Sequence, residues 1–210
     1  MTDTVRLHNI VFHTRVLGPG DRTAIWFQGC LRRCKGCMSP SSRPMDGGEI
    51  VSIPMLCDAV LAQEGIEGVT ISGGEPFLQP VALENILTRL RSSSSLGVII
   101  YTGYTIAQLR ELGDLHINRI LNGLVDLLID GEYIEALNDG KSLRGSSNQR
   151  LIFLTDRYRS CWELYEGTTR NAEVILSAGE AFFIGIPSVE TWHQWELALR
   201  DLETEERKQK

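Results

Sequence analysis

The sequence predicts an α/β fold in which parallel strands form a partial, open β/α barrel, followed by a C-terminal hairpin and helix. Between Pro54 and Arg150, short and continuously apolar segments alternate with segments of helical periodicity. This alternation is typical of βαβ units around a parallel sheet covered on both faces. The chain has 210 residues, whereas a complete eight-unit barrel typically needs about 250, so only about five units fit.

Composition is that of an ordinary globular protein and excludes several classes. Hydrophobic residues make up 42% and charged residues 23% of the chain, values that argue against wholesale disorder. The formal net charge of -6 is not the basic footprint of a nucleic-acid-binding domain. The start of the chain carries no apolar secretory segment, and no stretch approaches the ~20 apolar residues that span a bilayer. We therefore expect a cytoplasmic protein that binds neither nucleic acid nor membrane.

The individual elements follow from local patterns. Loose alternation from Val5 to Val16 predicts an early strand pair that ends before the Gly18-Pro19-Gly20 turn. The apolar run 23–27 predicts a buried strand that leads into Cys30, and Pro54 at a first-turn position predicts the start of a helix. The remaining pattern predicts strands at 68–71, 97–101, 125–129 and 150–155, and helices at 81–90, 105–112 and 117–124.

The sequence changes in character after Arg157. Two apolar segments at 172–176 and 181–186, joined around Gly179, predict a hairpin, and 189–210 has a helical pattern with a polar end. We therefore divide the chain into a barrel domain, residues 1–157, and a C-terminal extension, residues 158–210. The extension contains Trp162, Trp192 and Trp195, which either cover the open side of the barrel or form a docking surface for a partner.

The five cysteines are distributed unevenly. Cys30, Cys34 and Cys37 form a C-x3-C-x2-C motif, whereas Cys57 and Cys161 stand alone. Clustered thiols in an odd total indicate metal or redox chemistry rather than a disulfide framework. Structural zinc sites and ordinary [4Fe-4S] clusters normally use four thiolates, so three leave one coordination position open for catalysis. A zinc site completed by a distant residue, or an electron-transfer cluster completed by Cys57 or Cys161, remains an alternative.

Polar and glycine residues follow three of the predicted strands. Gly73 and Gly74 let the backbone approach a ligand closely, and Glu75 offers a negative acceptor; the alternative is an ordinary strand-to-helix turn. Thr102 and Asp130 end the next two strands, where ligands of parallel α/β sheets bind. Asp130 is equally well placed to cap a helix that begins at Glu132.

The segment from Arg144 to Gln149 is densely polar and includes Ser146 and Asn148. Ordering so many polar groups is costly unless they bind something polar. Arg144 has the two-pronged donor geometry that suits a carboxylate. The alternative is a solvated loop.

Together these motifs resemble the radical S-adenosylmethionine (SAM) superfamily. The cysteine motif follows a first strand, and Ser72-Gly73-Gly74-Glu75-Pro76 follows the next. The segments Gly18–Arg22 and Phe27–Cys30 are similar to the activating enzymes of glycyl-radical proteins. With Tyr101–Tyr104, Asp130-Gly131 and Arg144–Gln149, the sequence most resembles the activating component of anaerobic ribonucleotide reductase.

The resemblance implies a cofactor set and a reaction. In this family three thiolates bind a [4Fe-4S] cluster, and its fourth iron binds the amino and carboxylate groups of SAM. Reductive cleavage of SAM gives a 5'-deoxyadenosyl radical, which removes hydrogen from a glycine of a partner protein. The metal ligands implied are Cys30, Cys34 and Cys37, and the SAM-binding residues implied are Gly73, Gly74, Glu75, Thr102, Asp130, Arg144, Ser146 and Asn148.

The resemblance also implies two partners, a glycyl-radical protein and a small electron donor such as flavodoxin or ferredoxin. Arg32, Arg33 and Lys35 place positive charge around the cysteines, which attracts an acidic reductant or is simply solvated. Two other functions remain open at this stage. One is a radical SAM enzyme acting on a small molecule or peptide, and the other is a non-enzymatic zinc module that organises a protein complex.

Overall fold

The computed structural model describes residues 3–141, 143–164, 170–177, 180–188, 190–195, 197–198 and 200. In this part of the chain, seven strands form a central sheet and two more form a separate hairpin. The strands are β1 (Thr4–Thr14), β2 (Arg22–Phe27), β3 (Glu49–Ser52), β4 (Gly68–Gly73), β5 (Gly97–Thr102), β6 (Leu127–Asp130), β7 (Arg150–Phe153), β8 (Ala172–Ser177) and β9 (Glu180–Gly185). The α-helices are α1 (Ile53–Leu61), α2 (Pro80–Ser93), α3 (Ile106–Glu111) and α4 (Leu115–Gly123).

The central sheet is mixed, with four parallel strands in its middle. The strand order is β3-β1-β2-β4-β5-β6-β7, and β2, β4, β5 and β6 run parallel. The α/β class predicted from the sequence is thereby confirmed. Strand β7 pairs with β6 in the antiparallel direction, because the chain between them contains no crossover α-helix and only a short 3-10 helix at Glu135–Leu137.

The first strand differs from its prediction. Residues Thr4–Thr14 form one long strand rather than a pair, and this strand pairs antiparallel with β2 on one side and β3 on the other. The sequence analysis predicted no strand between Cys30 and Pro54, where β3 lies. Its four residues are half-buried or exposed, so they carry little hydrophobic pattern, and only their pairing with β1 defines them as a strand.

One face of the sheet is covered by helices and contains the main core. Alternate strand residues such as Ile25, Ile71 and Ile100 point to this face and are fully buried. They pack in one cluster with apolar residues of all four helices, including Leu83 and Ile120. Among the described residues, no helix combines the length and the apolar character needed to cross a bilayer.

The opposite face is covered by loops and by the C-terminal hairpin. Tyr158 packs against Ile99, Leu127 and Ile129. Ala24 packs against two residues, Leu17 in the loop after β1 and Ile184 in the hairpin. The predicted hairpin is confirmed as β8 pairing with β9, although its turn around Gly179 lies outside the described residues. So does most of the predicted helix beyond residue 195.

A buried arginine closes the amino-terminal end of the parallel strands. Arg22 has no exposed surface and donates to the backbone carbonyls of Val69 (2.7 Å) and Gly97 (3.1 Å). Its guanidinium also donates to the Tyr158 hydroxyl at 2.8 Å and pairs with Glu67. The starts of β2, β4 and β5 are thus tied to the segment after β7 through one side chain.

Replacing this arginine is expected to destabilise the fold strongly. Arg22→Met removes the donor from two buried carbonyls and leaves Glu67 without its buried cation, so we expect the free energy of unfolding to fall by about 3 kcal/mol. Urea unfolding followed by circular dichroism measures the change. Arg89→Met is the control, because Arg89 and Asp58 form an ion pair between exposed side chains that contributes little. If the two substitutions lowered the free energy of unfolding equally, Arg22 would not hold the starts of the strands together as described.

Candidate functional site

The carboxyl ends of the parallel strands open into one cavity of about 410 Å³. A cavity of this size accommodates a ligand as large as a nucleoside derivative. The described residues that line it include most of the site predicted from the sequence, namely Cys30, Cys34, Cys37, Gly73, Gly74, Glu75 and Thr102. These residues come from three separate stretches of the chain, and the sheet brings them together.

The cysteine loop follows β2 and is closed by its own backbone. Gly29 donates its N–H to the Ser42 carbonyl (2.8 Å), and Cys30 donates to the Arg43 carbonyl (2.9 Å). All three thiols of the motif are free and partly buried. Burial raises the pKa of the Cys34 thiol to about 11, assisted by its hydrogen bond to a neighbouring carboxylate. The Cys34 thiol therefore keeps its proton until a metal displaces it.

Glu75 is a buried carboxylate held in a fixed orientation. Its Oε1 accepts hydrogen bonds from the Thr102 hydroxyl (2.9 Å) and the Phe77 N–H (3.1 Å), and its Oε2 accepts from the Gly103 N–H (2.8 Å). Burial raises the pKa of Glu75, and these hydrogen bonds oppose the rise. The hydroxyl of Thr102 thus helps to hold the carboxylate of Glu75 in place, and direct contact of Thr102 with SAM stays a prediction.

The two glycines before Glu75 pack directly against the end of β2 and the cysteine loop that follows it. A Cβ atom on Gly74 would lie 2.2 Å from the Gly29 carbonyl oxygen and 2.8 Å from that of Ser42. Gly73 has a φ of +108°, and its Cβ would meet the Phe27 carbonyl at 2.3 Å. The close backbone approach that the sequence predicts is therefore made to the cysteine loop; an approach to a ligand stays a prediction.

Asp130 lies at the end of β6, fully buried. Its carboxylate accepts from Arg150 Nε (2.9 Å) and from the N–H of Ile106, the first residue of α3 (2.7 Å). The helix that the sequence analysis expected two residues after Asp130 is absent from the described chain at that position, where a short 3-10 helix begins at Glu135 instead. The side chain is not among those lining the cavity, so its contact with SAM stays a prediction.

The polar segment after β6 is held together largely by its own contacts. Arg144 pairs with Asp139 at 3.1 Å, Ser146 Oγ accepts from the Ile134 N–H at 3.1 Å, and Asn148 donates to the Glu132 carbonyl at 2.8 Å. Arg144, Ser146 and Asn148 lie outside the cavity lining, whereas their neighbours Gly145 and Gln149 contribute to it. The roles of these three side chains in SAM binding stay predictions.

Two carboxylates that the sequence analysis missed fasten the cysteine loop to this segment. Glu132 pairs with Arg32 at 3.2 Å and accepts from the Cys34 thiol at 3.4 Å, and Glu135 pairs with Lys35 at 3.0 Å. The guanidinium of Arg32 also lies over an aromatic ring at 4.4 Å. No local signal identifies these carboxylates, because their partners are about a hundred residues away in the sequence.

An aromatic wall contributes another side of the cavity. We define it as Phe183, Trp192 and Trp195, all of which line the cavity. The ring centroid of Phe183 lies 5.7 Å from that of Trp192 and 5.2 Å from that of Trp195. The hairpin that carries Phe183 is anchored to the sheet by a 2.6 Å hydrogen bond from Thr14 to Glu173. The side chain of Trp162, which the sequence analysis grouped with these tryptophans, lies outside the described residues.

The donor set of the cavity fits an iron–sulfur cluster. It offers three free thiols, and soft thiolates are the ligands that such clusters prefer. Cys57 is buried in the helical core and Cys161 packs beside Tyr158, so neither lines the cavity. Within the described ranges, no three histidine, cysteine, aspartate or glutamate groups converge closely enough to hold a single metal ion.

Comparison with known proteins identifies relatives of this site. The protein family described as a 4Fe-4S single cluster domain matches residues 16–152. The anaerobic ribonucleoside-triphosphate reductase-activating protein of Enterobacteria phage T4 is 31% identical over 146 residues, which cover 67% of this chain and 89% of the relative. The protein of the same name from Vibrio cholerae is 29% identical over 143 residues, covering 64% and 88%. The pyruvate formate-lyase-activating enzyme of Clostridium pasteurianum is 35% identical over 112 residues, covering 51% and 47%.

A methyl group on Gly74 is expected to disrupt metal binding. Gly74→Ala places a Cβ against two carbonyls of the cysteine loop, so that loop must move, and we expect the protein to lose most of the iron it binds on anaerobic reconstitution. Iron and sulfide analysis measures the loss. Gly123→Ala is the control, because a Cβ at Gly123 meets nothing within 4 Å. Full iron content in Gly74→Ala would show that the contact does not position the thiols.

Proposed function

Since the chain belongs to the family of radical SAM activases, we propose that it generates a glycyl radical in a partner protein, using a [4Fe-4S] cluster and SAM. The observation that carries this proposal is the convergence of three free thiols and the Gly-Gly-Glu turn on one cavity. Relatives whose names describe them as activating a reductase or pyruvate formate-lyase support a glycyl-radical enzyme as the partner.

The cofactors supply the chemistry and the chain positions them. The thiolates of Cys30, Cys34 and Cys37 would hold the cluster, which together with SAM would supply the one-electron reductive chemistry needed to remove a hydrogen atom from glycine. Glu75 provides the buried negative charge for the ammonium group of SAM. The hydroxyl of Thr102 keeps that carboxylate turned toward the cavity.

The sheet geometry supports a partial barrel. Helices cover one face, while the cavity and the hairpin lie on the other, as they would inside a barrel that is not closed. The terminal strands of the sheet, β3 and β7, are not paired with each other in the described part of the chain. We assign residues 1–157 to this barrel and residues 158–210 to an extension that covers its open side. Apolar walls of this kind exclude water from a reactive site.

The electron donor is proposed to dock at the outer surface of the cysteine loop. Arg33 is exposed and lies between the ion-paired Arg32 and Lys35, and the neighbouring Leu31 is 70% exposed. An exposed apolar side chain beside the exposed Arg33 fits a small acidic protein of the flavodoxin or ferredoxin class, because opposite charges steer encounter.

We also propose that the protein is cytoplasmic, because free cysteines and a reducible cluster suit the reducing conditions of the cytoplasm.

The aromatic wall favours one second candidate. Phe183, Trp192 and Trp195 line the cavity, and a cavity with an aromatic side would admit a small molecule or a peptide more readily than a folded domain. In this second function the same radical chemistry modifies such a substrate instead of a glycyl-radical enzyme.

The main proposal is tested in two separate stages. Anaerobically reconstituted protein with reductant and SAM is expected to form 5'-deoxyadenosine, whereas Cys34→Ala forms none and Cys161→Ala, altered outside the cavity, behaves like wild type. Electron paramagnetic resonance of a candidate partner then detects the glycyl radical. No 5'-deoxyadenosine from iron-replete wild type would exclude radical SAM chemistry. Formation of 5'-deoxyadenosine without a radical in any glycyl-radical enzyme tested would favour the second candidate.

Removing a ring of the aromatic wall is expected to separate the formation of 5'-deoxyadenosine from the formation of the glycyl radical. Phe183→Ala removes the ring that contacts both tryptophans, so water and reductant reach the cavity, and we expect several-fold more 5'-deoxyadenosine per glycyl radical formed, with unchanged iron content. Val174→Ala alters a half-exposed residue of the same hairpin and serves as the control. An unchanged ratio in Phe183→Ala would show that the wall does not protect the reaction.

A further inference from the structure

Arg43 is a cation in the cavity that lacks an acidic partner. It follows the cysteine motif and lines the cavity. Its Nε is buried and makes no hydrogen bond, and the same holds for the Nε atoms of Arg32 and Arg144. Those two arginines are in ion pairs with Glu132 and Asp139, whereas no ion pair of Arg43 is found among the described residues. A buried donor without an acceptor costs free energy, so this position is explained most directly by an acceptor that arrives with a ligand.

The backbone fixes Arg43 beside the residues that bind the cofactors. Its carbonyl accepts from the N–H of Cys30 at 2.9 Å, and the carbonyl of Ser42 accepts from Gly29 at 2.8 Å. The Ser42 carbonyl also lies 2.8 Å from where a Cβ of Gly74 would stand. Arg43 therefore lies between the first cysteine of the motif and the Gly-Gly-Glu turn, where the amino-acid end of SAM is expected.

The other arginines near the cavity are already neutralised. Arg32 lines the cavity but pairs with Glu132 at 3.2 Å. Arg144 and Arg170 both pair with Asp139, at 3.1 and 3.4 Å, and neither lines the cavity. Among the cations that line the cavity in the described chain, Arg43 alone has its charge available.

We propose that Arg43 binds the carboxylate of the methionine portion of SAM, the role that the sequence analysis gave to Arg144. This inference rests on the proposed function. The amino-acid end of SAM is zwitterionic, and the cavity offers a matching pair of charges: the buried carboxylate of Glu75 for the ammonium group and the unpaired guanidinium of Arg43 for the carboxylate. A guanidinium binds a carboxylate through two parallel hydrogen bonds, which satisfies the unpartnered Nε.

Binding of SAM is compared with binding of decarboxylated SAM, which lacks only the carboxylate. Anaerobic calorimetric titration of the cluster-loaded protein gives both dissociation constants. For Arg43→Gln we expect the dissociation constant of SAM to rise roughly 10- to 100-fold, with no change for decarboxylated SAM. Arg43→Lys keeps the charge without the two-pronged geometry and is expected to recover part of the loss. If Arg43→Gln fails to load its cluster, the lysine variant carries the same comparison.

The matched controls are Arg144→Gln and Arg33→Gln. Each removes one guanidinium that lies outside the cavity lining, so we expect both variants to bind SAM like wild type. The proposal is overturned if Arg43→Gln weakens both ligands equally, if it weakens neither, or if Arg144→Gln shows the loss specific to the carboxylate. Failure of the wild-type protein to bind SAM would instead contradict the proposed function.

Discussion

The contact between the Gly-Gly turn and the cysteine loop is the constraint on which the rest of the site depends. Gly74 can approach the Gly29 carbonyl only because it has no side chain, and the N–H groups of Gly74 and Glu75 donate across this contact to Phe27 and Gly29, each at 2.8 Å. Two loops from neighbouring parallel strands thus form one unit. The thiols on one loop and the carboxylate on the other keep a fixed separation, as the joint binding of a cluster and its ligand requires.

The two ends of the parallel strands use buried charge in opposite ways. At the amino-terminal end, Arg22 is saturated with carbonyl, hydroxyl and carboxylate partners, so its charge stabilises the fold. At the carboxyl end, Arg43 has a buried Nε without a partner, and Glu75 has a pKa raised by burial. A buried carboxylate and a buried Nε without an acceptor are each costly in the free protein. A ligand of complementary charge would supply the missing partners of Arg43 and Glu75, so this cost would be relieved on binding and would favour the complex.

The sequence predicted those features that depend on neighbouring residues. The cysteine spacing, the Gly-Gly-Glu turn and the apolar strands are local patterns, and they led to the α/β class and to the family. Features set by distant contacts were missed. Strand β3 exists because Val51 pairs with Val5, and the ion pair of Arg32 with Glu132 joins residues a hundred positions apart. The sequence analysis assigned Arg144 to the carboxylate and did not consider Arg43, because the ion pair of Arg144 with Asp139 cannot be read from composition. The antiparallel direction of β7 likewise depends on a connection without an α-helix.

Chemistry and access are contributed by different parts of this chain. The matched family region ends at residue 152 and contains every thiol, glycine and carboxylate to which we assign a part in cofactor binding. The aromatic wall lies after it, yet it lines the same cavity and is anchored to β1 and β2 through Glu173 and Ile184. A radical formed in the cavity reacts with whatever lies within reach, so the walls, rather than the cluster, restrict which hydrogen atom is removed. Similarity within residues 16–152 therefore supports the reaction type, whereas side chains such as Phe183, which lie outside that region, are where we propose that the radical acceptor is selected.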